Sequence, residues 1–299
     1  MRCIIVKKRL QSAALMGRFE TMFQCPMCAA EMTVADRKSL ICKIGHTFDI
    51  ARQGYVNVMT HSPAVKYDKG LFEARRTIAG SGFFEPLCEA LADRIKRAGL
   101  PAGKTVKILD AGCGEGSHLA RITEELQIRS GRRLLGVGMD LSKAGIIAAA
   151  RQDREAIWCV ADLANAPFRN RSMDVILSIL SPSNYAEFKR LVSDDGIVIK
   201  VIPKSGYLQE LREAFFDAPQ KLAYSNQDTA DRFCAHFDLE DRMELTYSSV
   251  LTQRLLLPLI NMTPLSWTAE KDRINSFLKK ESAAITVDLD VFIGRKKAK

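Results

Sequence analysis

The chain has 299 residues, 47% hydrophobic and 26% charged, proportions that exclude disorder as its main state and suit one large domain plus a small one. No run approaches 18 uncharged apolar residues, which excludes a membrane-spanning helix. The formal charge of +9 is unevenly placed: residues 1–66 hold ten Lys and Arg against four Asp and Glu, so this stretch suits a polyanion such as nucleic acid, or is a solvated basic extension.

The first apolar run is only Ile4-Ile-Val6, too short for a signal-peptide core, so a cytoplasmic protein is expected. Residues 1–21 show no strong period and read as an N-terminal extension, expected to be disordered. Residues 22–60 have the composition of a small module, rich in turn residues. They carry Cys25-x2-Cys28-x13-Cys42-x3-His46. Two close pairs separated by a short chain reversal place three thiolates and an imidazole around one tetrahedral ion, and zinc is the metal they suit. Four protein ligands leave no open position, so the ion is structural. Lys38, Lys43 and Arg52 lie around it with Phe48 and Tyr55 interleaved, a mixture that suits RNA phosphates and splayed bases; the two rings serve equally as the module's small core. The other cysteines are scattered, as buried thiols are.

Residues 61–100 read as a linker followed by helices. His61-Ser-Pro63 and Tyr67-Asp-Lys-Gly70 are turn-rich, and a helical pattern from Leu71 to Gly99 breaks at Gly80-Ser-Gly82, with Pro86 placed to open the second helix. From 101 to 299 strand and helix alternate. Strands are predicted at 106–110, 134–139, 157–160, 175–178 and 197–202, with later ones at 242–250 and 287–293. Helices are predicted at 117–128, at 143–151 capped by Ser142, and at 205–216. This order predicts a parallel, doubly wound α/β sheet.

The first strand runs into Asp110-Ala-Gly112-Cys-Gly114-Glu-Gly116-Ser-His118. A dinucleotide fingerprint requires a glycine where Ser117 stands, and no phosphate-binding lysine follows, so neither a dinucleotide site nor a P-loop fits. A nucleoside without a pyrophosphate fits better. Asp110 can attract a cationic amino acid group, and Gly112, Gly114 and Gly116 allow the backbone to pass close beneath it. Asp140 ends the second strand and can accept from two ribose hydroxyls. Asp162, beside Leu163 past the third strand, can accept from an adenine amino group. The ligand so described is S-adenosylmethionine; the bland alternative is that Asp140 and Asp162 only cap the turns that follow them.

Several tracts then resemble one family. Phe23-Gln-Cys-Pro-Met-Cys28, Ile41-Cys-x3-His46 running on to Gly54-Tyr-Val-Asn57, Ala74-Arg-Arg76, the glycine loop, and Met262-Thr-Pro-Leu-Ser-Trp267 are similar to the RlmA-type 23S rRNA (guanine-N1)-methyltransferases. That family includes the macrolide-resistance enzymes of tylosin and mycinamicin producers. The resemblance runs from Phe23 to the C-terminus and implies a class I Rossmann-like methyltransferase domain with a mixed seven-stranded sheet and helices on both faces, an N-terminal zinc module that recognises RNA, 23S rRNA as partner, and a homodimer. It implies zinc ligands at Cys25, Cys28, Cys42 and His46, and cofactor contacts at Phe84, Gly114, Glu115 and Tyr207. The family can carry tyrosine where Phe84 stands and histidine where Tyr207 stands. Ser178-Ile-Leu-Ser-Pro-Ser183 follows the fourth strand, where such enzymes present the substrate. A methyltransferase acting on a small molecule is the alternative, and leaves the zinc module unexplained.

Overall fold

The computed structural model describes residues 2–60, 69–153, 155–217 and 227–297. The turn-rich stretch 61–68, with His61, lies outside them. Within the described residues the chain runs α1 (Arg2–Arg18), β1 (Met32–Ala35), β2 (Ser39–Cys42), β3 (Thr47–Asp49), β4 (Tyr55–Asn57), α2 (Lys69–Gly80) and α3 (Glu85–Arg97). Next come β5 (Val106–Ala111), α4 (Ser117–Ser130), β6 (Leu134–Asp140), α5 (Lys143–Gln152), β7 (Ile157–Val160), β8 (Met173–Ile179), α6 (Tyr185–Leu191) and β9 (Val192–Pro203). The last part holds α7 (Gln209–Phe215), α8 (Gln227–His236), β10 (Phe237–Thr252), α9 (Gln253–Asn261), α10 (Lys271–Leu278) and β11 (Ser282–Lys296).

The main sheet has the order β10-β11-β9-β8-β5-β6-β7-β4. Strands β5 to β9 are parallel, and β11 and β10 close one side antiparallel. The central strands are buried on both faces, as in β6, where Leu135–Met139 are all buried; this explains why they read as continuous apolar runs. The crossovers follow local signals. Ser142 caps α5 by accepting from the Gly145 N–H at 3.4 Å, and Pro86 stands in the first turn of α3.

The sheet has one strand more than the seven expected. Tyr55-Val-Asn57 pairs parallel with Trp158-Cys-Val160, so the C-terminal end of the expected 22–60 module is an edge strand of the main sheet. Three residues carry too little pattern to announce a strand; their partner is distant in sequence.

Two cores lie across this sheet. One packs α2–α5, α7, α9 and α10 on one face. The other packs the zinc module, α1, α6 and α8 on the opposite face, with Phe23 against Phe168 at 5.7 Å between ring centroids. Residues 2–18 are therefore helical, where an unstructured extension was expected. Ala13 and Met16 are buried, and Ser12 sits against Gly54, where an added Cβ would lie 2.3 Å from its Oγ. Docking rather than intrinsic periodicity holds this helix, which is why its sequence gives no sign of it.

Candidate cofactor and zinc sites

The zinc cluster forms between two turns. Cys25 and Cys28 flank the first; Cys42, at the end of β2, and His46 flank the second. The four ligand atoms all lie within 4.8 Å of one another. Cys28 Sγ to Cys42 Sγ is 3.7 Å, and His46 Nδ1 lies 3.4 Å from Cys25 Sγ and 3.5 Å from Cys42 Sγ. A tetrahedral zinc with thiolate arms of about 2.3 Å requires edges of roughly 3.8 Å between sulfurs and about 3.5 Å from sulfur to nitrogen. The donor set and its spacing therefore fit zinc, and the His46 backbone N–H donates to Cys42 Sγ at 3.3 Å, the outer support such a thiolate needs.

The module exposes Arg37, Lys38 and Arg52, and the end of α1 beside it exposes Arg18; none of these makes an ion pair among the described residues. Lys43 and Arg169 both grip Glu31, at 2.9 and 2.7 Å. Met27 and Ile44, one on each zinc turn, are exposed apolar groups beside these charges. The two rings considered for stacking do not extend from this surface. Tyr55 is buried in the core on the other face of the sheet and Phe48 is half-buried, so packing won at both positions.

The second site lies where the carboxyl ends of β5 to β9 meet, at the reversal of strand order between β5 and β8. Asp110 is 2% exposed, and burial, with Asp140 and Glu115 nearby, pushes its carboxyl up to about 8. Among the described residues no cation pairs with it, so a ligand carrying positive charge would find an acid waiting. Asp140 braces the glycine loop: Oδ2 accepts from the Gly114 N–H at 2.8 Å and Oδ1 from the Ser142 N–H at 2.7 Å. Asp162 accepts from the Ala164 N–H at 2.8 Å and caps the turn holding the half-buried Leu163. Both acids thus do what the bland alternative allowed, while both remain at the strand tips.

The glycines divide the work. Gly112 and Gly114 have φ of +82° and +55°. A Cβ on Gly112 would meet Ser181 Cβ at 2.7 Å, so the first loop and the loop after β8 touch there. Gly116, at φ +83°, also meets a buried ring: a Cβ on it would lie 2.5 Å from the Trp158 indole, and one on Gly138 would lie 2.2 Å from the same ring. Gly116, expected with the cofactor contacts, thus also seats Trp158.

The other expected contacts gather around a residue not singled out from the sequence. The Arg75 guanidinium on α2 acts electrostatically on Glu115, His118, Asp140 and Tyr207. Burial raises Glu115, which accepts from the Ser117 hydroxyl at 2.5 Å and is drawn back by Arg75 and Arg76. Burial raises the Tyr207 phenol well above its usual range. Phe84 packs edge-on against His118 at 4.9 Å. Burial and Arg75 push His118 down to about 4, leaving a neutral ring whose Nε2 has no partner among the described residues. Arg75 Nε also donates to the Met262 carbonyl at 3.4 Å, joining the Ala74-Arg-Arg76 and Met262-Thr-Pro264 tracts in space. Phe72, one turn before it, lies over Gly114 and Gly145.

A doubly wound sheet with strand order and glycine loop of this kind, preceded by a four-ligand zinc cluster, defines a class I methyltransferase with a zinc ribbon. The family profile for the RlmA N-terminal zinc ribbon matches residues 23–62, and a methyltransferase-domain profile matches residues 108–196. YxjB of Bacillus subtilis (strain 168), a candidate 23S rRNA (guanine-N1)-methyltransferase, is 45% identical over 278 residues, 92% of this chain and 98% of its own. The 23S rRNA (guanine(748)-N1)-methyltransferase of Streptomyces fradiae is 32% identical over 84% of this chain and 88% of its own. A candidate 23S rRNA (guanine-N1)-methyltransferase of Micromonospora griseorubida is 29% identical over 91% and 96%. The chain belongs to this family of RlmA-type methyltransferases, whose fold implies S-adenosylmethionine and whose ribbon implies zinc.

Proposed function

We propose that the chain transfers a methyl group from S-adenosylmethionine to N1 of a guanine in 23S rRNA, with the zinc ribbon helping to grip the RNA. The observation that carries this reading is the union, in one chain, of a zinc-competent Cys3His cluster beside exposed basic side chains with a convergence of acids at the sheet edge. The small-molecule alternative gives the basic ribbon nothing to do.

Asp110, Gly112, Gly114, Glu115, Asp140, Asp162 and Leu163 would hold the cofactor, with Phe84 and Tyr207 at its amino acid end. The cofactor supplies an already activated methyl group when bound. The chain's work is orientation: Asp140 fixes the glycine loop, Asp110 answers the cationic end, and the Ser178–Ser183 loop offers a surface for the acceptor base. The base must leave its stack at a cost of a few kcal/mol, least in an RNA loop. As the new N–C bond forms the S–C bond breaks, and the N1 proton leaves to solvent or a carboxylate. Zinc takes no part in this chemistry and holds the ribbon in shape.

Action on rRNA places the protein in the cytoplasm. The exposed apolar groups Val250, Leu257 and Trp267 on β10, α9 and the turn after it support the homodimer that the family resemblance implies, which sedimentation would test. Protection against macrolides, the finer physiological reading, is tested by drug susceptibility of cells with and without the gene. The reaction itself is tested by primer extension on treated 23S rRNA. A methyl on N1 blocks the Watson–Crick edge, so a new stop one base short of a guanine is expected; cofactor-binding protein that yields no stop would overturn the assignment.

A further inference from the structure

One buried ionisable side chain has no part in the chemistry above. Lys200 lies mid-strand in β9, 5% exposed, on a face otherwise made of Val198, Ile202 and Phe292. It is the register partner of Ser178 in β8. An ammonium in such surroundings costs several kcal/mol unless its N–H groups are used, and a methionine of similar length would fill the space without that cost. No carboxylate lies within ion-pair distance of it among the described residues. Its partners are neutral oxygens, all in one place: Ser178 Oγ at 3.2 Å and the backbone carbonyl of Ser181.

Those partners belong to a connected set. Ser178 Oγ, itself fully buried, lies 3.1 Å from both Ser181 Oγ and Ser183 Oγ. Ser181 Oγ in turn donates to the Ala111 carbonyl at 2.8 Å, immediately before Gly112. Between them Leu180 is held at φ +50°, a left-handed conformation that a leucine adopts only when its surroundings impose it. A chain of hydrogen bonds therefore runs from β9, under the loop after β8, to the root of the glycine loop.

The geometry points to Lys200 as a positioning residue for methyl transfer: its amine pins the Ser178–Ser183 loop to the sheet and, through Ser178 and Ser181, keeps it in register with the glycine loop. This rests on the reading that the loop presents the acceptor base and the glycine loop the methyl donor. An in-line transfer tolerates little error, and a displacement near 1 Å can cost about a hundredfold in rate.

The test uses full-length Lys200→Met and Ser178→Ala proteins, read in two ways. In steady-state methylation of 23S rRNA, Lys200→Met is expected to lose at least about tenfold in kcat, with KM for RNA and affinity for S-adenosylhomocysteine within about twofold of wild type. Ser178→Ala should show the same signature, and it decides the matter if Lys200→Met fails to fold. A kcat within twofold of wild type in the folded variant, or a loss carried wholly by KM, overturns the assignment. Amide exchange needs no RNA: the amides of Ile179, Leu180, Ser181 and Ser183 should exchange at least tenfold faster in the variants, and equal rates overturn the pin. If wild type methylates no guanine, the proposed substrate fails, while the exchange result still decides whether Lys200 holds the loop.

Discussion

The zinc ribbon and the strand-tip site are joined through β4 yet hold their shapes by different means. The ribbon has strands of three or four residues and organises its turns around four ligand atoms. The strand-tip site stands on two apolar cores and takes its shape from buried acids and glycines without side chains. One therefore depends on an ion, the other on packing and on the electrostatic cost of what is packed. The contrast teaches that the same sheet supports a part that can be undone by chelation and a part that cannot.

The largest effect should come from Cys42→Ser. Zinc content measured by atomic emission should fall from about one per chain to near zero, with new proteolytic cuts between residues 23 and 50, because such sites contribute on the order of 10 kcal/mol to folding. Affinity for S-adenosylhomocysteine should stay within about threefold, and a collapse of that affinity would break the contrast. The converse is Asp140→Ala, which removes two charge-assisted hydrogen bonds from the glycine loop. Calorimetry should show cofactor affinity weakened roughly 10- to 100-fold with zinc content unchanged.

Gly138→Ala would press a methyl into the Trp158 ring and should cost about 2–3 kcal/mol, read as a fall in Tm of several degrees. A smaller effect concerns pH. Asp110, raised to about 8, is protonated below that pH in the free protein, whereas a cationic ligand favours its ionised form. Binding of S-adenosylhomocysteine should therefore tighten as pH rises from 6 to 8, by at most about tenfold per unit, and level off above. Asp110→Asn should bind with no such slope. The smallest effect is expected from Arg37→Ala with Lys38→Ala: RNA affinity should fall severalfold and the salt dependence should lose about 0.7 per lost phosphate contact, with cofactor affinity unchanged.

Much of the site was legible because its signals are local. The Cys-x2-Cys and Cys-x3-His spacings and the glycine loop are each contained in a dozen residues, and the central strands announced themselves, and so the acids at or just past their ends, by being apolar throughout. What escaped was set by distant partners. Tyr55-Val-Asn57 is a strand only because Trp158-Cys-Val160 lies beside it. Residues 2–18 are helical because the sheet offers a face to cover. Gly116 has a second duty the sequence did not show, because the ring that requires its missing side chain is 42 residues away. Arg75 sat in a tract noticed only for its resemblance, and its place among Glu115, Asp140 and Tyr207 emerges when α2 is folded over the loop.

The parallel pairing of Tyr55-Val-Asn57 with Trp158-Cys-Val160 has a consequence for how a large nucleic acid is handled. That strand is shared by the ribbon's end and by the sheet in which β6, two strands away, carries Asp140. The zinc turns and the methyl-transfer point are thus two marks on one stiff rule. An RNA has to match the span between them in its own fold, and a hairpin with the right guanine at the wrong distance would be held and left unmodified.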